Sequence, residues 1–323
     1  MILRDYTRPD IRARGIGEVN YVERILNGDW SQDLSAYVQQ RWGGLWDDDL
    51  CWCRSTLSYV IEPQLNFLLR TGQISPEGVA FFTANGYIVN GKFAPLSDRL
   101  YGILSKIGDN GGDPWWMAQY IQEWGFLPMS VLGYTDAQAQ RWSSQAEFDA
   151  DYFNPNTITP AMEALAKQAA SYINVNPYRV GEVGTNPDLQ LVWAAVRQAP
   201  VCAAIPIPNP PSLWNLANIP YQGGTDGVHC VGIYQTSPQY SLQTPSASVE
   251  IPIGDNYQPT PKMLQAGYFL CEVVAIVITG TVAVASTVPQ NALNNYVWSG
   301  LFDWLTQFWG TLTGGLKPAA SVS

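Results

Sequence analysis

The sequence predicts an α+β fold in which a helical half packs against a strand-rich half. Helix-spaced apolar residues and helix-start signals concentrate in 51–198, whereas short apolar, β-branched segments bounded by Gly, Pro and Asn concentrate in 199–288. With 323 residues, 46% of them hydrophobic, the chain has ample material for a core in one large domain or two smaller ones.

Residues 1–44 read as a polar, mixed lead-in with short helices expected at 19–26 and 34–42. The stretch that begins at Cys51 is the organising element of the chain. Leu57, Ile61 and Leu65 recur every four residues, and Val60, Leu68 and Leu69 fill the same side, so the segment reads as a helix with one buried face. Pro63 lies inside it and should kink it. Cys51 is then at a helix N-terminus, where unpaired amides and the positive end of the dipole stabilise a thiolate, the nucleophilic form of cysteine. Cys53 is two residues on, a rotation of about 200°, so the two thiols cannot face the same way.

Further along, Asp109-Asn110-Gly111-Gly112-Asp113 leads into a helical run over 116–124. An acidic Gly-rich loop raises calcium, but the spacing misses the EF-hand pattern and the loop reads as a turn. Residues 138–172 read as helical, with Thr159 before Pro160 as a helix start, and 189–198 as another short helix. An apolar strand is expected at 199–205, a Pro/Asn-rich loop at 206–220, and a strand at 230–234 after Gly223-Gly224-Thr225-Asp226-Gly227. Strands are also expected at 246–253 and 267–288. The run 269–285 is apolar enough to raise a membrane span, but Glu272, Gly280 and repeated Val, Ile and Thr favour strands. Finally, Val297, Leu301, Trp304, Leu305, Phe308 and Trp309 fall at helical spacing with only Asp303 among them, so 295–310 should dock on a partner chain or a membrane.

Composition narrows the function. Lys plus Arg total 17 against 27 acids, a net charge of −10 with no basic stripe, which argues against nucleic acid. Charged residues are only 14% while Trp reaches 13 and Tyr 17, so part of the surface is expected to be covered in an assembly. The five cysteines lack zinc or disulfide spacing and read as free thiols, and no metal or cofactor is expected. The N-terminus carries charges where a signal peptide needs its apolar stretch, so synthesis in the cytoplasm without a signal peptide is the expectation.

Several of these motifs resemble those of papain-like cysteine peptidases. Cys51-Trp52 with Ser55-Thr56, then Leu65-Asn66-Phe67-Leu68, Thr71-Gly72 and Ser75-Pro76-Glu77, is similar to that family's active-site helix and its continuation. Asn110-Gly111-Gly112, the helix ending in Tyr120-Ile121 and Gly125, the strand Pro200-Val201, the turn before His229, and Gly267-Tyr268-Phe269 come in the family's order. The resemblance implies a papain-like fold with Cys51 as nucleophile and His229, the one histidine in the chain, as general base. It places the residue that orients the imidazole at Asn256, with Asp255 beside it. It also implies a papain-like domain over 45–290 with an insertion near 79–104, and an apolar helix and tail over 291–323.

Three departures accompany the resemblance. Leu45 stands where the family has its oxyanion-hole glutamine, Asp47-Asp48-Asp49 places negative charge near Cys51, and Tyr257-Gln258-Pro259 replaces the family's Ser-Trp-Gly. The expected function is a cysteine peptidase or amide hydrolase acting on a peptide or peptidoglycan peptide. The alternative is a weak or inactive papain-like fold that serves as a structural component of a phage or viral particle, or a cell-wall peptide hydrolase carried by one.

Overall fold

The segment headed by Cys51 is helical from end to end but changes pitch in the middle. In the computed structural model, which describes residues 28–35, 50–105, 112–133, 141–181, 187–207, 211–220, 227–236, 250–255, 262–265 and 270–281, α1 (Cys51–Thr56) passes through a π-helical turn (Leu57–Ile61) into α2 (Glu62–Arg70). Pro63 explains the change. It has no N–H to donate and its ring crowds the preceding turn, so the backbone widens just ahead of it. The expected kink is thus a π turn. Leu57, Val60, Ile61 and Leu65 are fully buried along this run, and removing each from water is worth at most roughly 1.5–3 kcal/mol.

The rest of the helical half surrounds it. Ser75 caps α3 (Pro76–Ala84) by accepting from the Gly78 amide at 3.0 Å. A hairpin of β1 (Ile88–Val89) and β2 (Lys92–Phe93) comes next, closed by Asn90 and Gly91, both at positive φ. Asn-Gly suits a two-residue turn of this kind. The segment 79–104, set aside by the resemblance as an insertion, therefore holds the end of α3, this hairpin and most of α4 (Arg99–Ser105). Beyond it lie α5 (Pro114–Trp124), capped by Asp113, and the short α6 (Met129–Leu132).

The single helical stretch expected over 138–172 is divided. It comprises α7 (Gln145–Tyr152), a 3₁₀ turn (Pro155–Thr157) and α8 (Pro160–Ala170), and the chain then leaves as a strand. Asn154-Pro155 ends α7 because proline disfavours a helical residue before it. Thr159 caps α8, accepting from the Met162 amide at 3.3 Å, with Pro160 in the first turn.

A seven-stranded sheet forms the other half. Its strands are β3 (Ile173–Arg179), β4 (Val201–Pro206), β5 (Asn218–Ile219), β6 (Val228–Ile233), β7 (Glu250–Gly254), β8 (Lys262–Gln265) and β9 (Glu272–Gly280), in the spatial order β3-β9-β4-β6-β7-β8-β5. All pairs are antiparallel except β5 with β8. α9 (Leu189–Gln198) precedes β4, and its Val192, Trp193 and Val196 are buried. Part of the lead-in joins this core: Asp29 bridges to Gln235, and the Trp30 indole donates to the Val196 carbonyl at 2.7 Å. Residues 295–310, expected to be helical, lie outside the described residues. Among the described residues, no helix is long and apolar enough to cross a membrane, and no group of His, Cys, Asp and Glu is arranged to hold a metal ion.

Candidate active site

One face of the Cys51 helix builds the site against the middle of the sheet. Cys51, Ser55 and Tyr59 recur at every fourth residue and meet β6 and the end of β7 in turn. The Ser55 hydroxyl donates to the Cys230 carbonyl at 2.6 Å, which pins the first turn of α1 to the residue after His229. One turn on, Tyr59 fills a slot between Gly232 and Gly254, which are direct partners across β6 and β7. A Cβ on Gly232 would stand 2.1 Å from the Tyr59 Cβ, and one on Gly254 would stand 1.8 Å from the Tyr59 ring. The Tyr59 hydroxyl reaches the Asp255 carbonyl at 3.4 Å. The same aromatic side chain therefore sets both the strand that carries His229 and the loop that carries Asp255.

Cys51 is the first residue of α1, and Leu50 before it provides no side-chain cap. Its thiol feels Cys230 and His229 as its nearest polar neighbours. The Cys230 contact is the largest influence drawing its pKa well below the ordinary thiol value. Burial opposes the shift, while the His229 hydrogen bond and positive charge reinforce it.

His229 is buried at the start of β6. Burial by itself depresses its pKa, but hydrogen bonds and opposite charge from Asp255 and Cys51 overcome it and raise the value to about 10. The two shifts favour the thiolate of Cys51 and the imidazolium of His229. The His229 Nε2 lies 3.1 Å from Asp255 Oδ1, which leaves Nδ1 as the nitrogen on the Cys51 side.

The chain brings Cys51 and His229 together. Asn256 lies outside the described residues, and Asp255, the neighbour that the sequence placed beside it, faces the imidazole. Cys53 is fully buried and points away, its thiol directed at the Asp98 carbonyl at 3.7 Å. Leu45 and Asp47-Asp48-Asp49 also lie outside the described residues.

Three residues at the site carried no signal in the sequence. Trp214, from a 3₁₀ turn (Pro211–Asn215) in the Pro-rich loop, donates its indole N–H to Asp255 Oδ2 in a short hydrogen bond and packs edge-on to the His229 ring at 5.0 Å. Lys262, the first residue of β8, is buried with its ammonium 5.6 Å from the Trp214 ring and, among the described residues, with no hydrogen-bond partner. Burial lowers its pKa and the Asp255 charge opposes that. Cys230 is the third. Trp214 and Lys262 reach the site only through the fold, because their spacing along the chain matches no motif, whereas Cys230 follows His229 directly and only its facing depends on the sheet.

No family model matches the chain, and no curated protein matches it. Among solved structures it is similar to a cysteine protease of Carica candamarcensis in complex with E-64, 16% identical over 77% of this chain and 96% of that one, with a TM-score of 0.44. It is also similar to digestive procathepsin L 3 of the Tenebrio molitor larval midgut, 15% identical over 77% and 68% of the two chains with a TM-score of 0.48. A third is the bromelain protease of Ananas comosus, 11% identical over 77% and 97% with a TM-score of 0.45. The arrangement of this chain, a helical half led by Cys51 against a sheet that carries His229, is α+β.

Proposed function

We propose that the chain is a cysteine peptidase or related amide hydrolase of the papain-like kind, with Cys51 as nucleophile, His229 as acid and base, and Asp255 in the role that the resemblance gave to Asn256. The observation that carries this reading is the row Cys51–His229–Asp255, in which the carboxylate lies 3.1 Å from Nε2 and the thiol and imidazole shift each other's titration in opposite directions.

In this reading the Cys51 thiolate attacks the amide carbonyl carbon, and the carbonyl oxygen takes up the negative charge. The backbone N–H of Cys51, which has no intrahelical partner at the start of α1, is the donor placed to receive it. Collapse of the tetrahedral intermediate breaks the C–N bond as the His229 imidazolium gives its proton to the leaving nitrogen. The neutral imidazole then takes a proton from water, hydroxide attacks the thioester, and the acid product leaves with Cys51 again a thiolate and His229 again protonated. Asp255 accepts from Nε2–H throughout and keeps Nδ1 aimed at the sulfur. Trp214 covers that hydrogen bond and holds the second carboxylate oxygen, fixing the plane of the carboxylate.

Labelling of the full chain with an epoxide reagent directed at cysteine peptidases, followed by peptide mapping, tests the reading. Alkylation of Cys51 alone, lost on His229→Ala, supports it. Equal labelling of several cysteines, or none at Cys51, rules it out.

A second reading, a papain-like fold kept for assembly in a phage or viral particle, rests on Leu45 at the oxyanion-glutamine position and on the nearly uncharged 295–310 segment. A particle-borne cell-wall peptide hydrolase would combine the two. Truncation after Asn294 separates these outcomes: loss of assembly or membrane association with the Cys51 site intact supports the assembly role, and normal assembly removes its basis.

A further inference from the structure

Amide hydrolysis at this site uses the thiol of Cys51 and leaves idle a second thiol in contact with it. Cys230 comes directly after His229 on β6, and Cys202 and Cys51 are near enough that both push its pKa up. The sheet register explains the cluster. Cys202 pairs with Gly232 and Ala204 pairs with Cys230, so Cys202 and Cys230 are diagonal neighbours on one sheet face. Gly232 on that face meets Tyr59, so it is the face turned to the Cys51 helix. The 2.6 Å bond from Ser55 to the Cys230 carbonyl then holds the first turn of α1 directly over Cys230.

The two thiols differ in access and in charge. Cys51 is partly exposed, whereas Cys230 is 5% exposed and out of reach of a solution reagent. Cys51 is held as a thiolate, while contact with Cys202 and Cys51, together with burial, keeps Cys230 a protonated thiol. An oxidant arriving from solvent therefore meets Cys51 first, and a sulfenic acid formed there lies on the turn of α1 that the Ser55 bond holds over Cys230. The other cysteines are placed differently: Cys53 points to Asp98 from the far side of the helix, and Cys202 is buried on the neighbouring strand β4.

We propose that Cys51 is a site of reversible oxidation by hydroperoxides and that Cys230 is its resolving thiol, the two closing to a disulfide that blocks the site. The Cys51 thiolate attacks the terminal oxygen of the hydroperoxide, the O–O bond breaks, and the products are Cys51 sulfenic acid and an alkoxide or hydroxide. The Cys230 sulfur then attacks the Cys51 sulfur, the S–O bond breaks, and the hydroxide leaves as water with the Cys230 proton. The two sulfurs give up two electrons in total and the hydroperoxide accepts them. A dithiol reductant reverses the closure by exchange. The proposal rests on Cys51 being the reactive thiol of the proposed peptidase, but its readout is a mass and not a rate of turnover.

The test uses the full reduced chain and hydrogen peroxide. After brief treatment, free thiols are alkylated and the unreduced peptides are mapped. The expected product is the Cys51 peptide joined to the Cys230 peptide, lost on treatment with dithiothreitol. In Cys230→Ala, checked for unchanged melting, no such link forms and Cys51 advances to the sulfinic acid, which dithiothreitol does not restore. Sulfinic acid at Cys51 in the wild-type chain without a Cys230 link overturns the proposal. So does a link from Cys51 to Cys202, Cys53 or Cys271, or a Cys51 that peroxide leaves unmodified. Epoxide labelling at Cys51 without the peroxide link would remove this inference alone, and a peroxide link without amide turnover would remove only the peptidase.

Discussion

The ring of Tyr59 occupies the space that a side chain on Gly254 would need, at 1.8 Å from the position of its Cβ. The contact couples the helix that begins with Cys51 to the residue immediately before Asp255. The ring cannot easily swing aside, because the Tyr59 Cβ is itself pressed against Gly232 and the ring stacks with Tyr234. Gly254→Ala should therefore cost roughly 1–3 kcal/mol or more in stability, as overpacking does in a tight core. Any surviving fold should lose Cys51 labelling, because displacing Tyr59 shifts Asp255 with it. Chemical denaturation alongside epoxide labelling checks both. A variant with wild-type stability and labelling would mean that the slot does not position the site.

Cys51→Ser and Cys53→Ser should behave oppositely. The first removes the nucleophile and should abolish amide turnover and epoxide labelling. At Cys53 the thiol points away from Cys51 to the Asp98 carbonyl at 3.7 Å, so turnover should stay near wild type, while a buried hydroxyl on a shorter bond, out of reach of that carbonyl, should cost about 1–3 kcal/mol of stability. Turnover measured on both variants decides it, and the reverse pattern would place the nucleophile at Cys53.

Much of this site was legible before the fold, because Cys51 opens a long apolar periodicity and His229 is the one histidine in the chain. Periodicity fixed the faces of the helix, and chain order suggested that the two would meet. The third position was harder to read: counting back from Gly267 led to Asn256, yet Asp255 faces the ring. A count along a loop cannot resolve one residue, whereas Tyr59 and Trp214 hold Asp255 in place from two other elements. Lys262 and Cys230 were illegible for a similar reason, since their roles arise from strand register. The Asn90-Gly91 turn was present in the sequence as a hairpin signal, but the weak alternation in strands of two residues hid it.

The opposite pKa shifts of Cys51 and His229 define a wide working range. Cys51 is lowered well below the usual thiol value and His229 is raised to about 10, so thiolate and imidazolium coexist between those two values. Alkylation of Cys51 by iodoacetamide should already be fast at neutral pH and should fall only as pH drops through the lowered Cys51 value. Amide turnover should fall as pH climbs through about 10, where His229 loses the proton that the leaving nitrogen needs. For folding, the His229 shift is upward, so its stabilising contribution is complete below the unfolded value of 6.5 and is lost as pH rises through about 10. The lone histidine gives one pair of ring signals by NMR, and Cys51→Ser should move its titration downward by removing the thiolate. An unchanged titration would mean that the two groups are not in contact.

Lys262 should act on the same titration from the other side. Its buried ammonium lies by the Trp214 ring, which packs on His229, and its charge also acts on Asp255. Removing a positive charge several ångströms away in a partly shielded site is worth on the order of one pKa unit at an effective dielectric constant of about 20. Because burial lowers the Lys262 pKa towards the range in which His229 titrates, Lys262→Met, which keeps the length and apolar stem, should raise the His229 midpoint and the alkaline limb of turnover by less than that. Lys262→Arg, which stays charged, should hold both at or below wild type. The comparison requires only the ring signals of His229 and a melting curve to confirm that each variant is folded. A downward shift in Lys262→Met would mean that the loss of Lys262 loosens the Asp255–His229 hydrogen bond more than it unmasks the Asp255 charge. Identical midpoints in all three proteins would mean that Lys262 is electrostatically remote from the imidazole.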